Sequence, residues 1–140
     1  RIMSILASEQ REGKLKVNVK ALALCTYTLH ITHNKNVFDV SYRDSLITHI
    51  EHAAIAIHEL SWTANNIKAD TEDNYRRRIG LQREAIEYCD SLLSLIQIAK
   101  PIFHLSTKRI KYWGGLIVEV RALIRAWTAS DKKRHVEMIL

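Results

Sequence analysis

From Leu15 to Thr32, apolar residues fall on two helical rows, with Leu15, Val19, Leu22 and Leu29 on one and Val17, Ala21, Leu24 and Ile31 on the other. Together they form a wide stripe of α-helical period, ended by the polar Asn34-Lys35-Asn36. A second segment carries Leu46, Ile50, Ala53, Ile57, Leu60, Ala64 and Ile67 without a miss. Before it, Ser41 and Asp44 resemble a capping box with Asp in place of Glu. Lys68-Ala69-Asp70-Thr71 reads as a turn, with Asp70 or Thr71 capping a third helix. Glu72 and Asp73 then place negative charge where the helix macrodipole favours it. This helix shows Ile79, Ile86, Cys89, Leu93 and Ile96 on one row and Leu81, Ala85, Tyr88, Leu92, Leu95 and Ala99 on the next. It is expected to stop near Pro101, since proline removes a helical hydrogen bond and clashes with the preceding turn. Ser106 or Thr107 opens a fourth helix with the stripe Ile110, Trp113, Ile117, Val120, Ile124, Trp127. Gly114-Gly115 is its weak point, because a glycine inside a helix costs about 1 kcal/mol relative to Ala. The pair is expected to serve close approach of a neighbouring helix or chain.

This pattern predicts an all-α protein, an up-down-up-down antiparallel four-helix bundle with helices near 14–33, 42–67, 72–100 and 107–130. Residues 1–13 lack a sustained apolar period and are expected to form a flexible N-terminal lead, with the bundle over 14–131 and a C-terminal tail over 132–140. One Pro and four Gly in 140 residues leave too few turn signals for a sandwich or barrel. The length suffices to bury a core without disulfides or metal. The longest apolar runs, Ala21–Cys25 and Ala53–Ile57, are five residues each, against the roughly 20 that a membrane span requires. With no secretion-signal pattern at its start, the chain is expected to be cytoplasmic and free of membrane contact. Cys25 and Cys89 stand alone and on core rows, which fits buried thiols in a reducing compartment.

Charge changes the picture. The formal net charge is +6, and the stretch 106–135 alone holds eight basic residues against Glu119 and Asp131. The whole surplus therefore lies in that stretch, and a one-sided positive field attracts polyanions or an acidic partner. Lys111, Arg125 and Lys132 fall on one seven-residue row, with Arg121 four residues before Arg125. Together with Lys108 and Arg109 they form the candidate nucleic-acid-binding set, since cations spaced along one rigid helix suit a phosphate backbone. Arg76, Arg77, Arg78 and Arg83 on the third helix form a candidate partner-protein cluster, in which planar guanidinium forks can grip carboxylates or phosphates. The bland alternative is that these cations solvate helix surfaces or pair with acids such as Asp73 and Glu84.

Enzyme chemistry finds little to stand on. No Glu has a His three residues after it, so the di-iron pattern of helical bundles is missing. His49 and His52, with His58 further along, make a surface zinc site conceivable, but without further ligands at matching spacing. No phosphate-binding glycine loop, nucleophile elbow or dinucleotide fingerprint occurs. No catalytic residue, metal or cofactor is expected.

The segments LKVNVKALALCTYTL (15–29), YRDSLITHIEHAAIAIHELSWTANNI (42–67), YRRRIGLQREAIEYCDSLLSLIQIA (75–99) and YWGGLIVEVRALIRAW (112–127), with FHLS before the last, resemble the bacterial four-helix bundle proteins. That family includes the proteins encoded by intervening sequences of large-subunit ribosomal RNA genes and the accessory variability determinants of diversity-generating retroelements. Ala64-Asn65-Asn66-Ile67 looks like the element that closes the second helix in the intervening-sequence members, although Lys68-Ala69-Asp70 stands where those members carry Ala-Glu-Gly. The closing EVRALIRAW with Ser130-Asp131-Lys132 is more similar to the retroelement branch. That resemblance implies a non-enzymatic homopentamer that binds a reverse transcriptase together with RNA or DNA and supports mutagenic reverse transcription. The alternatives are an RNA-binding or ribosome-associated bundle of the intervening-sequence type, and a purely structural oligomeric bundle.

Overall fold

A computed structural model describes the backbone from Ile2 to Leu140, with side chains from Arg11 onward except Glu12. The described residues form four long helices and no strand: α1 (Ile2–Thr32), α2 (Thr48–Asn65), α3 (Glu72–Ile102) and α4 (Thr107–Ile139). Contacts across the helices set their directions. Arg78 meets Asp131, Arg121 meets Asp90, and Gly114 faces Ile96, so α3 and α4 are antiparallel. Trp113 meets Thr28 while Lys20 meets Glu119, which makes α1 and α4 antiparallel as well. Arg78 reaches the Ile67 carbonyl and Tyr88 reaches His52, so α2 opposes α3. These three relations leave α1 and α2 antiparallel too, and the chain is an all-helical bundle of the expected class.

The core follows the sequence stripes. Ile50, Ala53, Ile57 and Ala64 of α2 are buried against Ala85, Cys89, Leu92, Ile96 and Ala99 of α3 and Trp113, Ile117, Val120, Ile124 and Trp127 of α4. On α1 only one of the two rows is used: Val17, Ala21 and Leu24 are fully buried, whereas Leu15, Val19 and Leu22 remain 65%, 55% and 50% exposed. Phe38, in the α1–α2 loop, fills one end of the core by packing on Phe103 and Trp113.

Several boundaries differ from the sequence reading. Residues 2–13 continue α1 rather than forming a lead, and 132–139 continue α4 rather than forming a tail. The apolar period is only one source of helix stability, and both stretches are rich in good helix formers such as Ala, Glu, Arg, Lys and Met that extend an existing helix cheaply. The capping box at Ser41 does not form. Instead Asp39 accepts a hydrogen bond from Ser41 N–H (2.9 Å), and a 3-10 turn (Val40–Tyr42) and a π turn (Arg43–Ile47) lead into α2. Hydrogen bonds from the Ser41 backbone and side chain hold the Asp39 carboxyl below its ordinary pKa. Thr71 caps α3 through Asn74 N–H and Ser106 caps α4 through Arg109 N–H, each at 3.1 Å. Pro101 lies within the last turn of α3, which closes two residues later when Phe103 N–H bonds to the Ala99 carbonyl and His104 turns left-handed at φ 53°. So near a helix end, the bond that proline forfeits is one of few remaining.

Candidate nucleic-acid interface

The α3–α4 seam brings together cations that are far apart in sequence. Arg83 on α3 and Arg125 and Lys132 on α4 line an open groove of about 330 Å³ with an apolar wall of Ile79, Ile86 and Ala129. Its geometry follows from helical spacing: Arg125, Ala129 and Lys132 lie on one side of α4, at i, i+4 and i+7. Beneath them, Thr128 donates to the Gln82 side-chain oxygen at 2.9 Å, which pins α4 to α3 under the groove. Among the described residues none of the three cations has an ion-pair partner. A concave surface with three unneutralised cations and an apolar wall can take a phosphate-bearing strand, with the long Arg and Lys stems covering the apolar wall.

The other candidates disperse. Arg121 is half-buried and paired with Asp90, so its charge is neutralised within the chain. Arg109 donates to the Tyr27 hydroxyl at 3.2 Å and therefore belongs to the α1–α4 seam, not to the groove. Lys108 and Lys111 are exposed in the first turns of α4, and Lys111 lies about 20 Å along the axis from Arg125. The partner cluster also splits. Arg76 is solvent-exposed and pairs with Glu72 at i, i+4 (3.1 Å), and Arg77 is exposed. Arg78 cannot serve a partner protein: it is 2% exposed and held by groups of its own chain. Its Nε and Nη2 donate to the two Asp131 carboxylate oxygens at 2.8 Å each, its Nη1 donates to the Ile67 carbonyl at 3.1 Å, and it lies 5.2 Å from the Trp127 ring centre. Asp131, one of the two acidic residues of the basic stretch 106–135, is equally buried and also accepts from Gln82 Nε2 at 2.7 Å. Helical spacing places Arg78 on the row of Ala85, but only packing reveals a buried carboxylate for it.

The two cysteines are buried, and two of the histidines make contacts within the chain. Burial pushes the Cys89 thiol up to about 12, and burial together with Glu59 raises that of Cys25, so both stay protonated near neutral pH. His52 lies 3.4 Å from the Tyr88 hydroxyl and His58 stacks on Trp62. Among the described residues no three His, Cys, Asp or Glu assemble as a metal site and no helix is long and apolar enough to cross a membrane. Among the described residues Gly114 meets the Ile96 side chain, at 3.8 Å from where a Cβ would stand, and Gly115 faces open space, so neither marks a tight approach there. Comparison with known proteins finds no matching family model, no similar curated protein and no similar solved structure.

Proposed function

We propose that this chain is a non-enzymatic nucleic-acid-binding bundle that acts beside a reverse transcriptase, as the resemblance to the accessory variability determinants implies. The observation that carries the binding half of this reading is the groove of Arg83, Arg125 and Lys132, whose charges have no internal partner among the described residues. Phosphate backbones are the polyanions that such a groove fits, because contacts of this kind position a strand without reading its bases. The polymerase-binding half and the homopentamer rest on the resemblance alone. Ala64-Asn65-Asn66-Ile67 favours the second reading, an RNA-binding bundle of the intervening-sequence type.

The test is fluorescence anisotropy with unrelated single-stranded RNA and DNA oligonucleotides over a range of salt concentrations. Replacing Arg83, Arg125 and Lys132 together by Gln should weaken binding to all sequences alike. The slope of log affinity against log salt should flatten by roughly 0.7 to 0.9 for each phosphate left without its cation. Arg121→Gln is the internal control and should change the slope much less, since Asp90 already holds that charge. An unchanged slope in a folded triple variant overturns the groove as the interface. Pull-down of a retroelement reverse transcriptase separates the two readings, because only the accessory-protein reading expects a stable complex.

A further inference from the structure

A second cationic concavity borders the Arg78–Asp131 pair. Lys14 of α1, the α2–α3 loop, the first turns of α3 and the last turns of α4 line a partly open cavity of about 290 Å³. Among the described residues its walls carry Lys14, Lys68, Arg78 and Arg134 against two carboxylates, Asp70 and Asp131. Asp131 is bound to Arg78 and Gln82. Asp70 accepts from the Asn74 side chain at 3.4 Å. Glu72, just outside, is shared between Arg76 and His135. The positive charge in the cavity is therefore in excess among the described residues. Among the described residues the buried Arg134 Nε–H has no hydrogen-bond partner, a donor that loses its water without compensation. Lys14 lies in the same environment: its pKa is lowered first by burial and then by the charge of Arg78, while Asp131 raises it and Arg134 lowers it further.

From this geometry we infer that the cavity is a binding site for a phosphate dianion, either free or as a terminal phosphate monoester. The separate donors on Lys14, Lys68 and Arg134 call for a ligand with several acceptor oxygens pointing in different directions, which a tetrahedral phosphate offers and a planar carboxylate does not. A cavity of about 290 Å³ is at the small end for ligand sites and admits a phosphate with little attached to it. The bidentate Arg78–Asp131 pair forms a rigid floor, and Tyr75, stacked on His135 at 3.7 Å, forms a wall. The site is distinct from the α3–α4 groove and does not depend on it.

The experiment is a ¹H–¹⁵N NMR titration of the whole chain with inorganic phosphate at constant ionic strength set by chloride. The expected result is a saturable shift of the Arg134 Nε–H signal and of the Lys14 and His135 backbone amides. Lys14→Gln and Arg134→Gln should each weaken phosphate binding by about tenfold, the effect of removing one charge-assisted hydrogen bond. Each variant's spectrum reports whether it stays folded, and Lys14, only half-buried, provides the variant least able to disturb the fold. Two further arms compare 5′-phosphorylated and 5′-hydroxyl oligonucleotides. Tighter binding of the phosphorylated strand, abolished by Arg134→Gln, assigns the site to a nucleic-acid end; equal binding alongside a saturable phosphate titration assigns it to a free phosphate. Shifts that never saturate, or that persist unchanged in both variants, overturn the site. The variant lacking Arg83, Arg125 and Lys132 should titrate with phosphate as the parent does, so failure of the groove leaves this result intact.

Discussion

Arg78 illustrates how one residue can change meaning between a sequence and a fold. Within Arg76-Arg77-Arg78 it looks like surface charge, yet it ends in a buried network with Asp131, Gln82, Thr128 and the Ile67 carbonyl. Truncating one partner of a buried pair leaves the other charge uncompensated, which costs about 3 to 5 kcal/mol. Arg78→Met should accordingly lower the free energy of unfolding in urea by an amount of that order, whereas Arg77→Met should change it by no more than about 0.5 kcal/mol. Adding Asp131→Leu to the Arg78 variant should recover part of the loss, and the double-mutant cycle measures the coupling. Trp113 makes a similar if smaller case: its Nε1–H donates to Thr28 Oγ1 (3.0 Å), which itself donates to the Leu24 carbonyl (2.8 Å). A threonine in the middle of an apolar stripe is thus the partner that allows a Trp to be fully buried.

At the scale of elements, the four helices differ in how completely their apolar residues are used. The α2 and α4 stripes are one core face wide and are consumed by the bundle, while α1 carries a spare row. Gly115 bears on whether α4 has a spare face as well. It is exposed and no described residue lies within 4 Å of where its Cβ would stand, beyond its own helix backbone and chain neighbours. With no neighbour to clash and a helical backbone that Ala adopts readily, Gly115→Ala should stabilise the subunit by about 0.5 to 1 kcal/mol. A higher melting temperature in calorimetry is the expected readout. A lower one would mean that a neighbouring copy packs against this glycine in the assembled protein, the role that close approach of another chain requires.

For the whole molecule, charge and apolar surface are segregated. The groove of Arg83, Arg125 and Lys132 lies between α3 and α4, and the exposed row Leu15, Val19 and Leu22 lies on α1. Three large apolar residues at i, i+4 and i+7, each half or more exposed, form a seam of the kind that a second helix covers. The homo-oligomer in the proposed reading should therefore depend on them. Light scattering should give a multiple of the 16.2 kDa chain mass, with five copies if the resemblance to the accessory determinants holds. Replacing Leu15, Val19 and Leu22 by Lys should release folded subunits, since none of the three belongs to the buried core. A parent chain that scatters as a single copy at micromolar concentration would remove the oligomer from the reading.

Helix type, number and approximate extent were written in the sequence, because a 3.6-residue apolar period specifies both the helix and the face it must bury. The α2 stripe from Leu46 to Ile67 and the α4 stripe from Ile110 to Trp127 were legible for that reason, as were the alternatives Thr71 and Ser106 for the caps. Helix ends were less legible: continuing an existing helix needs only permissive residues, so α1 and α4 run past the last apolar repeat. Of the candidate site, the sequence located the basic helix but not the groove. Arg83 and Arg125 lie 42 positions apart, and only the antiparallel register of α3 and α4 sets them around one concavity. The same register decided which cations were already neutralised, Arg78 by Asp131 and Arg121 by Asp90, since an ion pair depends on distances of a few ångströms that chain spacing does not encode across helices. Which of the two α1 rows faces inward was likewise settled by packing, because both have the helical period and only one can point at the other three helices.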